Sequence, residues 1–256
     1  MDEQRKNNLT AEADGIIEGR NAVIEALRAE VNIDKIYIMK GETDKTLGHI
    51  ASKARAAGIV VVDADRRKLD GMSRTHAHQG VIALAAMREY VSVESMLEAA
   101  AAKNEKPLLV VCDEISDPHN LGAIIRPACC AGAHGVIIPK RRSAGLTAVV
   151  AKTSAGAVAH MPVARVPNIA ALLKDLKKQG VWVFGTAAKG TTSLYDADLK
   201  GAAAIVIGSE GDGMTRLAAE NCDFLVSIPM RGKLNSLNAS AAAAILLYEA
   251  VRQRLG

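Results

Sequence analysis

Aromatic side chains are scarce in this chain, with two Phe, one Trp and four Tyr in 256 residues. Rings this few argue against the broad base-stacking surface of a protein that grips single-stranded nucleic acid through its bases. Any contact with RNA would lean on phosphates and shape. Cysteine is sparser still. Cys112, Cys129, Cys130 and Cys222 form no CxxC pair, so no zinc or other metal site is expected. The thiols read as buried and reduced, as in a cytoplasmic protein. Long apolar runs are missing too: 49% of the residues are apolar, yet no run approaches the roughly 20 residues of a membrane span. Nor does an apolar signal segment follow Met1. Residues 1–14 are polar and are expected to be disordered.

A strong excess of either charge is also absent, since the formal net charge is +4. Its distribution says more. Residues 1–105 hold 15 basic and 17 acidic side chains (−2), whereas residues 106–256 hold 17 and 11 (+6). The positive excess therefore lies in the second half of the chain.

What is present begins with a compact unit over residues 15–88. Ala22–Leu27 has the spacing of an amphipathic helix, with Val23, Ala26 and Leu27 on one face. Strand Ile33–Met39, helix Lys45–Ala57, strand Ile59–Val62, short helix Arg66–Met72 and strand Val81–Ala85 complete an α-β-α-β-α-β order. Its polar features are Arg66-Arg67-Lys68, either a solvated charge run or a phosphate contact, and His76-Ala77-His78, a pair with no acidic or Cys partner nearby in sequence. Residues 89–106 read as a linker carrying a short helix capped by Ser92.

Residues 107–256 alternate strands and helices, the pattern of a largely parallel sheet covered on both faces. Leu108–Cys112 is a strand. Asn120 can cap the helix that follows, whose residues Leu121, Ile124 and Ile125 face inward while Arg126 lies off that face. Pro127 should distort this helix or confine it to a first turn. Pro139-Lys140-Arg141-Arg142 is a basic loop. Ile205–Ile207 is a buried strand ahead of Gly208-Ser209-Glu210-Gly211-Asp212-Gly213, where backbone amides can approach a ligand closely. Helical Met214–Asn221, strand Phe224–Ile228 and a polar loop follow. Ser236 or Asn238 caps the long last helix, and Arg252 and Arg254 suit that helix's negative end.

Three segments of this second half resemble the ordered motifs of the SpoU/TrmH (SPOUT) family of RNA ribose 2′-O-methyltransferases. They are Asn120–Arg126, Ile207–Gly213, and Ser227–Met230 together with Ser236–Ser240. Asp117-Pro118-His119-Asn120 and Ile138–Arg142 resemble the branch that methylates a guanosine in 23S ribosomal RNA. Residues 15–87 are similar to that branch's RNA-binding domain, related to ribosomal protein L30e. The resemblance implies a trefoil-knotted α/β domain over residues 107–256 behind the smaller L30e-like α/β domain. It also implies bound S-adenosylmethionine and a homodimer with the active site at the subunit interface.

Carried over residue by residue, the resemblance makes Arg126 the catalytic residue, reaching the methyl-donor site from the partner subunit, with Asn120, Glu210, Ser236 and Asn238 around it. Thr186, Gly208, Ile228, Met230 and Leu237 become cofactor contacts. Lys140, Arg141, Arg142, Arg66 and Arg67 become RNA contacts. Arginine keeps its proton, so Arg126 reads as a group that orients phosphate and stabilises oxyanion charge, with the hydroxyl proton passing to phosphate, water or Glu210. Where the family has a small hydroxyl residue after the arginine, this chain has Pro127. Two alternatives stand beside this expectation: a 2′-O-methyltransferase acting on transfer RNA or on a resistance site in ribosomal RNA, and a non-catalytic RNA-binding protein.

Overall fold

The computed structural model describes residues 15–41 and 44–255; the disorder expected for residues 1–14 lies outside them. Two compact units are present, a smaller one of residues 15–89 with 145–148 and a larger one from the remainder.

The smaller unit runs β1 (Ile16–Glu18), α1 (Arg20–Arg28), β2 (Ile33–Met39), α2 (Lys45–Ala56), β3 (Val60–Ala64), α3 (Arg66–Met72), β4 (Val81–Ala85). Strand β1 was not expected. Three residues are too few to show a period, and the strand exists because Ile16–Glu18 pairs antiparallel with Ile82–Leu84 of β4. The sheet order is β1-β4-β2-β3, and Val23, Ile36, Leu47, Ile50, Ala54 and Val81 fill the core on one side. Asp44 caps α2 by accepting from the Thr46 amide (2.7 Å) and is itself paired with Arg20 (2.6 Å). The His76-Ala77-His78 segment resolves into a structural device. His78 is buried; its Nδ1 accepts from the Gly80 amide (3.0 Å), which puts the ring proton on Nε2, facing Asp70 (3.0 Å). Among the described residues no group of three His, Cys, Asp or Glu side chains could hold an ion.

The larger unit runs α4 (Val93–Ala102), β5 (Leu108–Cys112), α5 (Pro118–Cys130), β6 (Gly135–Pro139), α6 (Ala148–Thr153), β7 (Val163–Val166), α7 (Ile169–Lys178), β8 (Trp182–Thr186), β9 (Thr192–Ser193), β10 (Ala203–Ile207), α8 (Arg216–Glu220), β11 (Phe224–Ser227) and α9 (Ala239–Leu255). All strand pairs are parallel, in the order β7-β6-β5-β10-β8-β11-β9. Strands β5, β6 and β10 are buried along their whole length, as expected for strands covered on both faces. Leu109, Val111, Ile137 and Val206 pack one face against Met96 of α4, Leu173 and Leu176 of α7 and Ala218 of α8. Alternation sends Leu108, Val110 and Ile205 to the other face, where α5 and α9 pack together and α9 lies on β10.

Three expectations are corrected here. The 89–106 segment is no free linker over its helix: Val93, Met96 and Ala100 are buried, and Val91 bridges to Ala164. Pro127 neither stops nor shortens α5, which continues to Cys130. An interior proline costs about 3 kcal/mol, whereas burying Leu121, Ile124 and Ile125 gains roughly 1.5–3 kcal/mol each, so packing wins. The thiols are not uniformly buried; Cys112 is, but Cys130 is exposed. Cys129 and Cys130 are adjacent on a helix and cannot both join its buried stripe. Burial pushes the Cys112 and Cys222 thiols up to about 12.

The last turn of α9 carries Arg252 and Arg254, as expected for its negative end. Arg254 also donates to the carbonyls of Leu199 (3.0 Å), Gly201 (2.6 Å), Lys106 (2.8 Å) and Pro107 (3.2 Å). Gln253 accepts from the Leu199 amide (2.7 Å) and donates to Ala197 (2.8 Å). Arg252 forks onto buried Glu249 (2.9 and 2.7 Å). These hydrogen bonds, with a further one from Gln253, hold the Glu249 carboxyl down at about 2. A carboxyl depressed in the folded state stabilises above its unfolded value and loses that contribution as pH falls through its folded one. Glu249→Gln should therefore lower the thermal midpoint at neutral pH, and the deficit should shrink progressively below about pH 4.5. Paired melts across pH check this; a pH-independent deficit would mean that the charge is not what matters.

Candidate active site at the carboxyl ends of β8, β10 and β11

Strands β10, β8 and β11 are parallel neighbours, so their carboxyl ends open on one edge of the sheet, where such folds bind ligands. The segments leaving these ends surround a cavity of about 460 Å³. Thr186 ends β8, Gly208 and Glu210 follow β10, and Ile228, Met230, Ser236 and Leu237 come from the long connection after β11; all line the cavity. Thr186 donates to the Val206 carbonyl (3.0 Å), locking the ends of β8 and β10 together.

The glycine-rich segment closes on itself. Ser209 and Gly213 exchange backbone bonds (2.9 and 3.0 Å), with Gly213 at φ 71°. A Cβ on Gly208 would sit 2.2 Å from both the Gly213 carbonyl carbon and the Met214 nitrogen, so glycine there is demanded by the loop's own closure. Buried Asp113, at the end of β5, anchors the far side of the loop by accepting from the Thr215 amide (2.6 Å). Sequence reasoning missed Asp113; its signal was a lone carboxylate terminating an apolar strand.

Asn120 does not cap α5. Asp117 does, accepting from the His119 amide (2.9 Å), with Pro118 as the first helical residue. The Asp-Pro pair carried that signal. Relieved of capping, Asn120 donates from Nδ2 to Glu210 Oε1 (2.9 Å) and accepts at Oδ1 from Asn238 Nδ2 (3.0 Å). Asn238 Nδ2 also donates to Glu210 Oε1. The other end of Asn238 caps α9, its Oδ1 accepting from the Ser240 amide (2.9 Å) and hydroxyl (2.5 Å) and the Ala241 amide (3.3 Å). The cap is thus Asn238, and Ser236 is left on the cavity wall.

Arg126 is exposed on α5 and does not line this cavity. Six residues beyond Asn120, it lies about 9 Å along the axis and about 240° around it, so one chain does not bring the two onto one face. Lys140, Arg141 and Arg142 are exposed beyond β6, with Arg142 paired to Glu114 (3.0 Å). Arg66 and Arg67 are exposed on α3 of the smaller unit, where Arg66 lies 3.8 Å from Asp70.

The sequence profile of the SpoU rRNA Methylase family matches residues 107–248, and that of RNA 2′-O ribose methyltransferase substrate binding matches residues 16–91. The chain belongs to the SpoU family of RNA ribose 2′-O-methyltransferases. It is 45% identical over 238 residues to the 23S rRNA (guanosine-2′-O-)-methyltransferase RlmB of Ralstonia nicotianae, covering 92% of this chain and 94% of that one. A tRNA/rRNA methyltransferase of Mycobacterium avium, described as uncharacterized, is 45% identical over 254 residues, covering 99% of this chain and 82% of its own. Among solved structures, the SpoU methyltransferase AviRb from Streptomyces viridochromogenes in complex with AdoMet superposes with a TM-score of 0.60 at 25% identity, over 96% of this chain and 92% of that one.

Asn238 offers a test that separates its two duties. Asn238→Ala removes the α9 cap and should cost about 0.5–2 kcal/mol of stability. Asn238→Asp keeps an oxygen for the cap but sets a second carboxylate against Glu210, so it should lose activity while recovering stability relative to alanine. Chemical denaturation and methyl-transfer rates measured together decide the matter; equal stability losses in both variants would remove capping from the account.

Proposed function

We propose that this chain transfers a methyl group from S-adenosylmethionine to the ribose 2′-hydroxyl of a guanosine in 23S ribosomal RNA, working in the cytoplasm as a homodimer. The cavity carries this reading: Thr186, Gly208, Ile228, Met230 and Leu237, the residues expected to hold the cofactor, line one hollow. Its chemistry fits as well. Leu225, Met230, Leu237 and Ala242 offer apolar surface to a purine ring, and Glu210 and Asp212 put carboxylates on the wall of a site for a cationic ligand. When bound, S-adenosylmethionine supplies an electrophilic methyl group.

The chain's own residues then position the acceptor. Arg126 of the partner subunit completes the site: within its own chain that residue is exposed and does not line the cavity, and Ile245 and Tyr248 leave apolar surface exposed on α9, which packs against α5. A guanidinium keeps its proton, so it orients the RNA phosphate and stabilises charge growing on the 2′-oxygen. Glu210 fixes the amides of Asn120 and Asn238 beside the cavity. The smaller unit, residues 15–88, serves as the RNA-binding domain, with Arg66, Arg67 and the Lys140–Arg142 loop on phosphates. The family fold leads us to infer a trefoil knot within residues 107–256.

Incubation with methyl-labelled S-adenosylmethionine and unmodified 23S ribosomal RNA, then alkaline digestion, should leave label in an alkali-resistant dinucleotide. Label in mononucleotides would mean base methylation, label with transfer RNA alone would change the substrate, and RNA binding without label would favour a non-catalytic binder. Arg126→Ala should lower kcat by about 100-fold or more. Mixing that variant with Gly208→Ala protein should restore activity, because a mixed dimer holds one site with both intact halves. Two inactive variants that stay inactive when mixed would argue for a site confined to one chain.

A further inference from the structure

We propose that Arg231 and Lys233 form a phosphate grip for the target RNA strand at the mouth of the cavity, a role that rests on the methyl-transfer reading of that cavity. The path of the chain is the first ground. After β11 the backbone lines the cavity at Ile228 and Met230, leaves it, and lines it again at Asn235, Ser236 and Leu237. The span Arg231-Gly232-Lys233-Leu234 therefore bridges the rim and is no part of the wall. All four residues are exposed, Leu234 by 76%, so the span stands clear of the body of the unit.

Charge is the second ground. Residues 228–238 carry two cations, Arg231 and Lys233, and no acidic side chain. Among the described residues neither cation reaches a carboxylate, whereas Arg142 is paired with Glu114 (3.0 Å). The cavity's Glu210 is already engaged by Asn120 and Asn238. A polyanion approaching this opening thus meets two uncompensated cations next to the hollow where the reacting ribose must sit. Arginine supplies a planar fork for one phosphate and lysine a point charge for its neighbour. Such contacts fix the register of the strand and carry no sequence information. Guanosine selection must then come from other residues.

The test compares full-length wild type with Arg231→Ala, Lys233→Ala and the double variant, using an unmodified 23S ribosomal RNA transcript over a series of salt concentrations. Each lost phosphate contact should flatten the slope of log K against log salt by about 0.7–0.9, so the double variant should be shallower by about 1.4–1.8. The loss should fall on KM for RNA, by about ten-fold, more than on kcat, and the charge-preserving pair Arg231→Lys with Lys233→Arg should recover most of it. Affinity for S-adenosylmethionine, measured by calorimetry without RNA, should hold.

An unchanged salt slope overturns the proposal. So does a parallel loss of S-adenosylmethionine affinity, which would make the span a shaper of the cavity, or a changed sedimentation state, which would make it a contact between copies. Failure of the methyl-transfer reading looks different: wild type itself would leave no alkali-resistant label, while the binding slopes would still report whether these cations meet phosphate.

Discussion

The candidate site hangs on one carboxylate oxygen. Glu210 Oε1 accepts from the amides of both Asn120 and Asn238, which also bond to each other. These three residues come from the first turn of α5, the loop after β10 and the cap of α9, so one small triangle ties together segments that are 90 and 118 residues from Asn120. Hydrogen bonds to a charged group are worth about 1.5–3 kcal/mol when sheltered. Here they are open to water on the Glu210 and Asn238 side, and their contribution to stability is correspondingly smaller. What they confer is position. Each amide has two ends, and once the nitrogen of Asn238 is committed to Glu210, its oxygen is aimed at the first turn of α9. The start of the last helix and the wall of the cavity are therefore set by the same side chain.

That triangle can close only because the sheet brings its corners near. Strand β10 lies between β5 and β8, and every pairing is parallel. The loops after β5, β8 and β10 consequently leave from the same edge, and the long connection after β11 joins them. Two further carboxylates hold the frame from inside. Asp113 anchors the glycine loop through Thr215, and Asp223 accepts from the Val183 amide (2.9 Å) while pairing with Lys177 (2.8 Å). Glycines mark the places where this packing leaves no room: a Cβ on Gly185 would meet Cys222 Sγ at 2.5 Å, and one on Gly190 would meet the Leu225 carbonyl oxygen at 2.6 Å.

Most of the strands and helices were legible in the sequence, because the apolar runs of β5, β6 and β10 and the periodic faces of α1, α2 and α7 are long enough to show their pattern. The misreadings share one cause: a local signal was outweighed by something distant. Strand β1 is three residues long and exists by pairing with β4. Pro127 is a strong local breaker overruled by the buried stripe on either side of it. Of the site, the cavity residues were legible through their motifs. The geometry of Asn120 was not, since a polar residue ahead of an apolar helix reads as a cap whether or not an Asp-Pro three residues earlier has already taken that place.

The difference between cap and partner bears on the site as well. Were Asn120 the cap of α5, its oxygen would be spent on the helix's own amides and Asn238 Nδ2 would lose one of its two acceptors. Asp117 takes that duty, and Asn120 is free to face the glycine loop from inside the first turn. The same helix carries Arg126 further along, held by fully buried Leu121, Ile124, Ile125 and Ala128. Packing so firm fixes where the helix carries Arg126, which is exposed and lies outside the lining of its own cavity. The same packing explains why a proline beside the arginine is tolerated: the stripe that overrides Pro127 also holds the turn that bears Arg126.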